Sequence, residues 1–250
     1  VFFLRRSPSP ARQVYGKIEI FARHCIVSKI SQHKKRLSGF SREKCFANLL
    51  STIDRNQANL TLILDAFYGK LEDYFLASYS DEKLISIQAG TEALSFLLLL
   101  DYIASLPLHP DTVIYIVEDD YLHRPGWIDM MREGFSLPDV DYLTLYDHRD
   151  KYFLPSYSKL TSQLFVSPHS HWRTTPSTTN TFATRFRTLL EDLSVHRRFS
   201  RNRSITADHA KFCCLRRKGR VLVSPIPGYS THCEIEYASP CVDWEGMIRF

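Results

Sequence analysis

The sequence has no Cys-x-x-Cys pair, so the usual ligand spacing of a structural zinc knuckle is missing. Its six cysteines, Cys25, Cys45, Cys213, Cys214, Cys233 and Cys241, are too sparse for a disulfide scaffold. Mostly buried thiols in a reducing compartment are expected, or one or two bridges if the protein is secreted. No apolar run is long enough to span a bilayer. The longest, from Ala93 to Leu100, stops at Asp101, short of the ~18–20 residues required, so a buried core helix is expected and no transmembrane segment. There is no internal repeat, no low-complexity tract, and no visible signal peptide at the start. The chain opens on valine, which reads as a fragment or processed form. The compartment expected is the cytoplasm, or a lumenal or secreted one if an anchor or signal lies upstream. Excess charge is small: 32 basic against 27 acidic side chains, a formal +5. That admits phosphates as partners, and no nucleic acid is expected.

What is present is enough apolar material for a sizeable core: 44% hydrophobic and 24% charged residues, which excludes wholesale disorder. Short apolar runs alternate with amphipathic segments. Ile18–Phe21, Leu60–Leu64, Leu84–Ile87 and Thr112–Val117 read as strands. Ser41 and Thr91 stand where helix caps are expected. Cys45, Phe46, Leu49, Leu50 and Ile53 share one helical face. This alternation implies an α/β fold with a mostly parallel central sheet flanked by helices, a single Rossmann-like domain. In such sheets ligands sit beyond the carboxyl ends of the strands. Arg23, Asp65, Gln88, Gly90 and the Glu118-Asp119-Asp120 trio all fall near such ends.

The second half is less regular. Pro125 suits the first turn of a short helix through Met131. Tyr142–Tyr146 reads as a strand, and residues 155–181, rich in Ser, Thr and Pro, as a long loop. Phe182, Phe186, Leu189, Leu190 and Leu193 keep helical spacing. Thr206 is placed to cap a helix that carries Asp208. Arg220–Ser224 reads as a last strand, and the remainder as a tail wrapped over the active face.

Three consecutive carboxylates at a buried strand end repel one another, and burying them uncompensated costs several kcal/mol. A divalent cation carrying a polyphosphate would relieve this, and hard ions such as magnesium or manganese prefer oxygen ligands. Asp208, in the first turn of its helix, is a candidate general base whose pKa would have to be lifted by burial. His232 could reach back to the cation, with His123, His148, His169 and His171 competing for that role. Residues 185–220 hold eleven basic and three acidic side chains. The cluster Arg197, Arg198, Arg201 and Arg203 reads as a solvated basic loop, a diphosphate clamp or a nucleic-acid surface. Trp172, among hydroxyl-bearing neighbours, either stacks on a sugar ring or anchors its loop.

The segment Val-Glu-Asp-Asp-Tyr at a strand end resembles the metal-binding motif of GT-A fold glycosyltransferases, in particular the Glu-Asp-Asp form of inverting N-acetylglucosaminyltransferases. Ala-Asp-His-Ala-Lys is similar to that family's catalytic-base position, and Ser-Thr-His-Cys to its late histidine metal ligand. The resemblance implies an enzyme moving a hexosyl or N-acetylhexosaminyl group from a nucleotide-diphosphate sugar to a glycan, protein or small-molecule acceptor. Under it, Asp120 and His232 would bind Mn2+ or Mg2+, and Glu118 and Asp119 would hold ribose or order the loop. Asp65 would lie near the nucleobase with Gln88 and Gly90, Arg23 at the mouth of the nucleotide site, and Asp208 would activate the acceptor. Residues 1–17 would form an N-terminal extension, 18–124 the donor half and 125–250 the acceptor half with the C-terminal tail. The spacer is Glu-Asp-Asp rather than Asp-x-Asp, so the metal ligand is Asp120 alone or Asp120 with Glu118. The rival enzyme is a metal-dependent nucleotidyltransferase, which also gathers acids at sheet ends but usually opens on a Gly-rich phosphate loop. Residues 23–40 are basic and contain only Gly39. A non-catalytic rival is a basic nucleic-acid-binding protein.

Overall fold

Period-two burial along the strands splits the core into two layers. The computed structural model describes residues 14–28, 31–79 and 81–248. Strand β1 (Tyr15–Cys25) leads to helix α1 (Arg42–Thr52), β2 (Ala58–Asp65), β3 (Lys83–Ile87), α2 (Glu92–Ala104) and β4 (Thr112–Glu118). Then come β5 (Tyr121–His123), α3 (Trp127–Ser136), β6 (Tyr142–Leu143), the single turn α4 (Asp150–Phe153), β7 (Leu164–Val166), β8 (His171–Thr174) and β9 (Phe182–Arg185). Helices α5 (Phe186–Ser200) and α6 (Asp208–Arg217), strands β10 (Leu222–Ile226) and β11 (Ser230–His232) and helix α7 (Trp244–Ile248) complete the chain.

Nine strands form one sheet in the order β3-β2-β1-β4-β9-β6-β10-β8-β7. β1 pairs in parallel with β2 and β4, and β2 with β3, while β9 runs antiparallel between β4 and β6. Ile20, Ala22, Leu62, Leu64, Tyr115 and Val117 face α1 and α3. The alternate residues Phe21, Ile63, Ile114 and Ile116 face α2, α5 and α6. The result is the single mixed α/β domain that the alternating runs imply. Among the described residues, no helix is long and apolar enough to cross a membrane.

Ser41 caps α1 by accepting from the Lys44 N–H at 3.1 Å, and Thr91 caps α2 by accepting from the Leu94 N–H at 3.2 Å. Elsewhere the structure departs from expectation. Phe182 belongs to β9, not to the helix. It mimics a helical i, i+4 partner of Phe186 because both enter the same apolar layer. The 155–181 stretch contains the β7–β8 hairpin as well as a loop. β6 ends at Leu143, because the chain bends so that Leu145 O can accept from the N–H groups of Tyr229 and Ser230. Helix α3 starts after Pro125, with Gly126 at its N-cap in the left-handed region (φ 80°). Thr206 does not cap α6: the N-cap is Ala207, and the Thr206 hydroxyl meets Ser200 instead. Of the expected N-terminal extension, residues 1–13 lie outside the described residues, and β1 already begins at Tyr15.

The sheet's far half leaves no room over α3. A Cβ on Gly134 would fall against Leu143 and within 2.7 Å of the Trp172 ring. Trp172 is fully buried, with its indole N–H on Ser167 Oγ at 2.8 Å, so it anchors the hairpin rather than stacking on a ligand. Gly134→Ala is therefore expected to lower stability by about 1–3 kcal/mol through overpacking, despite alanine's better helix propensity. Urea unfolding checks this; an unchanged midpoint would mean that the α3–hairpin contact yields freely.

Candidate functional site

The chain runs outward from β1 through β2 to β3, then crosses back to place β4 on the other side of β1. The carboxyl ends of β1 and β4 thus flank a topological switch point, where a crevice opens. A cavity of about 500 Å³ lies there, within the range that holds a drug-sized ligand. Arg23, Asp65, Gly90, Glu118, Asp119, Asp120, Asp208 and His232 all line it. Gln88 does not: its side chain is exposed outside the cavity.

Each member of the acidic trio meets a different arginine. Glu118 Oε1 accepts from Arg23 Nη2 at 2.8 Å, Asp119 Oδ2 lies 3.2 Å from Arg42 Nε, and Asp120 Oδ2 accepts from Arg36 Nη1 at 2.9 Å. Repulsion within the trio is thus answered by cations from β1 and from the segment leading into α1, where a metal ion had been expected to do so. Asp119, in the turn that follows β4, points back to accept from the Cys25 N–H at 3.2 Å.

Arg23 sits under the site rather than at its mouth. Its Nη1 donates to Glu92 O and its Nη2 to Glu92 Oε1, each at 2.8 Å, so one guanidinium ties β1, α2 and β4 together. Glu92 continues the network: Oε1 accepts from Asn180 Nδ2 at 2.7 Å, and Oε2 from the Thr206 N–H at 2.7 Å. The Asn180 amide oxygen accepts from Lys211, and Lys211 Nζ reaches Asp208 Oδ1 at 3.0 Å. Lys211 is fully buried, with Phe96 and Phe212 around its ammonium group. Asp208 is thereby held at the first residue of α6, facing the cavity.

Asp65 is occupied. Its carboxylate accepts from the N–H groups of Phe67, Ala89 and Gly90, at 3.2, 2.9 and 2.9 Å. It shapes the loop after β3, and Gly90 there adopts a φ of 72° that favours glycine. At the other side of the crevice β11 pairs with β5, His232 opposite Tyr121. This register brings His232 Nε2 to 2.9 Å from Asp120 Oδ2, with Glu234 Oε2 3.5 Å from Nδ1. Of the competing histidines, His148 lines the cavity on Asp150. His123 is buried on Tyr115, and His169 pairs with Glu133 at the surface. Arg197, Arg198, Arg201 and Arg203 do not line the cavity, and Arg197 pairs with Asp101 instead.

These surroundings spread the carboxyl pKa values apart. Burial raises Glu118 to about 8, because Arg23 is shared with Glu92 while Asp120, Glu92 and Asp208 repel the charge. Burial also raises Asp208, against the pull of Lys211. For Glu92 burial is outweighed by Arg23 and by the bond from Thr206, which bring it down to about 2. For Asp120 burial is outweighed by His232 and Arg36, which hold it well below the usual carboxylate range. Burial raises Asp119 as well, so Glu118, Asp119 and Asp208 share the crevice with Glu92 and Asp120, which stay ionised.

Among the described residues, no three His, Cys, Asp or Glu side chains converge as a closed cation cage. Magnesium seldom uses such a cage; it takes one or two carboxylates plus substrate phosphates. Asp120 Oδ2 and His232 Nε2, side by side at 2.9 Å, are a donor pair of the right chemistry, provided Arg36 yields its place on the carboxylate.

No protein-family model matches the chain, and no curated protein matches it. Solved structures do. The chain is similar to the 4-diphosphocytidyl-2C-methyl-D-erythritol synthase of Anaerococcus prevotii, at 10% identity and a TM-score of 0.47, over 85% of this chain and 88% of that one. It is also similar to the inositol-1-phosphate CTP transferase of T. maritima, at 12% identity and a TM-score of 0.51, over 95% and 97%. The fold is GT-A-like. The second likeness, which spans nearly the whole of both chains, carries that statement. The expectation of a glycosyltransferase using a nucleotide-diphosphate sugar is corrected on this second likeness, because the T. maritima structure is named as a CTP transferase and not for sugar transfer. The physical reason is that an acidic strand tip can hold a cation, and a cation binds a pyrophosphate unit alike in a sugar nucleotide and in a triphosphate.

The raised pKa of Glu118 has a consequence for stability. The folded protein keeps a proton that the unfolded chain has lost above its ordinary pKa of 4.5. Glu118's contribution is therefore complete below about pH 4.5 and is lost as the pH climbs through about 8. Unfolding free energy, measured in urea across that window, is expected to decline with pH in the native sequence and to decline less in Glu118→Gln. Identical slopes in the two proteins would assign the effect to another group.

Proposed function

We propose that the protein is a metal-dependent nucleotidyltransferase. The observation that carries this reading is the crevice at the β1–β4 switch point, where the Asp120–His232 pair stands beside the cationic side chains of Lys34, Arg36 and Arg42. Such a site suits a triphosphate with its cation. The GT-A-like fold supports the reading, since the T. maritima structure with that fold is a CTP transferase. The donor nucleotide lies over residues 18–124, its base beside the loop that Asp65 and Gly90 shape. The acceptor lies toward the second half, against Asp208 and His148.

In this scheme Asp120 and His232 would hold the divalent cation, which would supply charge neutralisation to the phosphates. An acceptor oxygen attacks the α-phosphorus, a new P–O bond forms there, and the bond to the β-phosphate oxygen breaks as pyrophosphate leaves with the electron pair. Asp208, whose pKa burial raises toward a useful basicity, takes the proton of an acceptor hydroxyl. Lys211 fixes the Asp208 carboxylate through Oδ1, leaving its other oxygen for that proton. Arg23 and Glu92 position these groups without meeting the substrate.

The test is release of pyrophosphate from each nucleoside triphosphate, with magnesium or manganese, against a panel of polyol and sugar phosphates. One nucleotide is expected to raise the melting temperature only with the cation, and one acceptor to release pyrophosphate. Asp120→Asn is expected to keep the fold and lose turnover by about 10²–10³-fold. Absence of any cation-dependent triphosphate binding would sink the proposal.

A further inference from the structure

Cys45 on α1 and Cys233, next after β11, lie 188 residues apart in sequence and meet inside the protein, sulfur to sulfur at 3.6 Å. Both are buried, in a small apolar cluster with Leu37, Leu122, Trp244 and Ile248. Neither has a part in the proposed chemistry. The remaining cysteines lie elsewhere: Cys25 at the crevice, Cys213 and Cys214 on α6, and Cys241 exposed at the surface.

Their setting is a junction. The Cys233 N–H donates to Asp120 O at 2.9 Å, and Cys233 O accepts from the Leu37 N–H at 3.3 Å. The residue before it, His232, meets the Asp120 carboxylate, and α7 packs Trp244 and Ile248 into the same cluster. The C-terminal segment closes one wall of the crevice, and this cluster joins it to the first half of the chain alongside the β5–β11 ribbon and the bridge between Arg36 and Glu234.

We propose that Cys45 and Cys233 form a disulfide that clamps the C-terminal segment onto α1. Closing it requires the sulfurs to approach by about 1.6 Å, and the side chains already face one another. The step is thiol–disulfide exchange with a small-molecule or protein disulfide as oxidant. One cysteine thiolate attacks that disulfide and expels one reduced thiol. The second cysteine then attacks the mixed disulfide and expels the other. Two protein thiols become one S–S bond, the oxidant's disulfide becomes two thiols, and the protons lost by the cysteines end on them. Because both sulfurs are enclosed in the folded protein, the exchange takes place as the chain folds, or when the C-terminal segment lifts. The inference is independent of the transferase reading.

The experiment uses the full chain refolded either in a mixture of oxidised and reduced glutathione or in dithiothreitol. Alkylation in denaturant, followed by intact mass, is expected to find four reactive thiols after oxidative refolding and six after reduction, from the six cysteines present. A tryptic map should show one linked pair, the peptide of Cys45 with that of Cys233. The oxidised protein should melt about 10 °C higher than the reduced one, as expected for closing a loop of this length in a chain of this size. In Cys45→Ala and in Cys233→Ala that difference should vanish. Six reactive thiols after oxidative refolding would overturn the proposal, as would a linked pair made from other cysteines. A Cys45–Cys233 bridge that leaves the melting temperature unmoved by reduction would overturn its role as a clamp. The mass and peptide measurements are made on the native sequence, so the first two outcomes stand even if a variant fails to fold.

Discussion

One guanidinium organises the crevice. Arg23 leaves the end of β1 buried, and its two Nη groups are divided between the backbone and carboxylate of Glu92 and the carboxylate of Glu118. A buried arginine is tolerable only when its hydrogen-bonding edge is matched by fixed acceptors. Here those acceptors are the first residue of α2 and the last of β4. The angle at which α2 leaves the sheet and the place where β4 ends are therefore coupled to β1 by a charge, on top of the apolar packing of the two layers. Through Glu92 the constraint extends to Asn180, Lys211 and Asp208, so residues from five parts of the chain hold one network.

The network also decides which acids are ionised. Glu92, Glu118 and Asp208 share two buried cations, Arg23 and Lys211. Burial penalises the charge on all three, and the cations do not offset it equally. Glu92 has both Arg23 and a backbone N–H, and it stays charged; Glu118 and Asp208 rise. Asp120 lies outside this competition because Arg36 and His232 serve it separately. A ligand that brings negative charge into the crevice meets in Asp120 an ionised carboxylate backed by an imidazole and an arginine. That arrangement favours a phosphate accompanied by a cation over a bare phosphate.

Much of this was legible in the sequence, and the failures have physical causes. The strands beside the switch point could be read because both faces of each are buried, leaving unbroken apolar runs that end in polar residues. The acidic trio could be placed for the same reason, whereas Asp208 was read from a helix start, which is where it lies although Ala207 and not Thr206 is the N-cap. What could not be read was who neutralises whom. Arg36 reaches Asp120 across 84 positions and Arg23 reaches Glu118 across 95, and no local pattern announces such pairs. Lys211 stood three residues from Asp208, the spacing at which helical side chains meet, and that was a usable signal. Gln88 was misplaced because the chain turns at Gly90, which leaves the side chain of Gln88 outside while the backbone of Ala89 and Gly90 turns in to Asp65. Phe182 misled because a strand residue and a helix residue four apart can fill one layer.

The chemistry of the donor is a different matter. A strand-end carboxylate recognises a cation, and the cation recognises a pyrophosphate unit, whether that unit lies in a sugar nucleotide or in a triphosphate. Discrimination has to come from the groups around the bond that breaks. For sugar transfer these surround the anomeric carbon; for nucleotidyl transfer they surround the α-phosphorus. In this crevice the side chains nearest the acidic tip are cationic on one flank, with Lys34 and Arg42 lining it beside Asp119 and Asp120. On the other flank stands Asp208, held by Lys211. A polyphosphate would set its negative charge against the first flank, where Lys34 and Arg42 stand, and away from the Asp208 carboxyl.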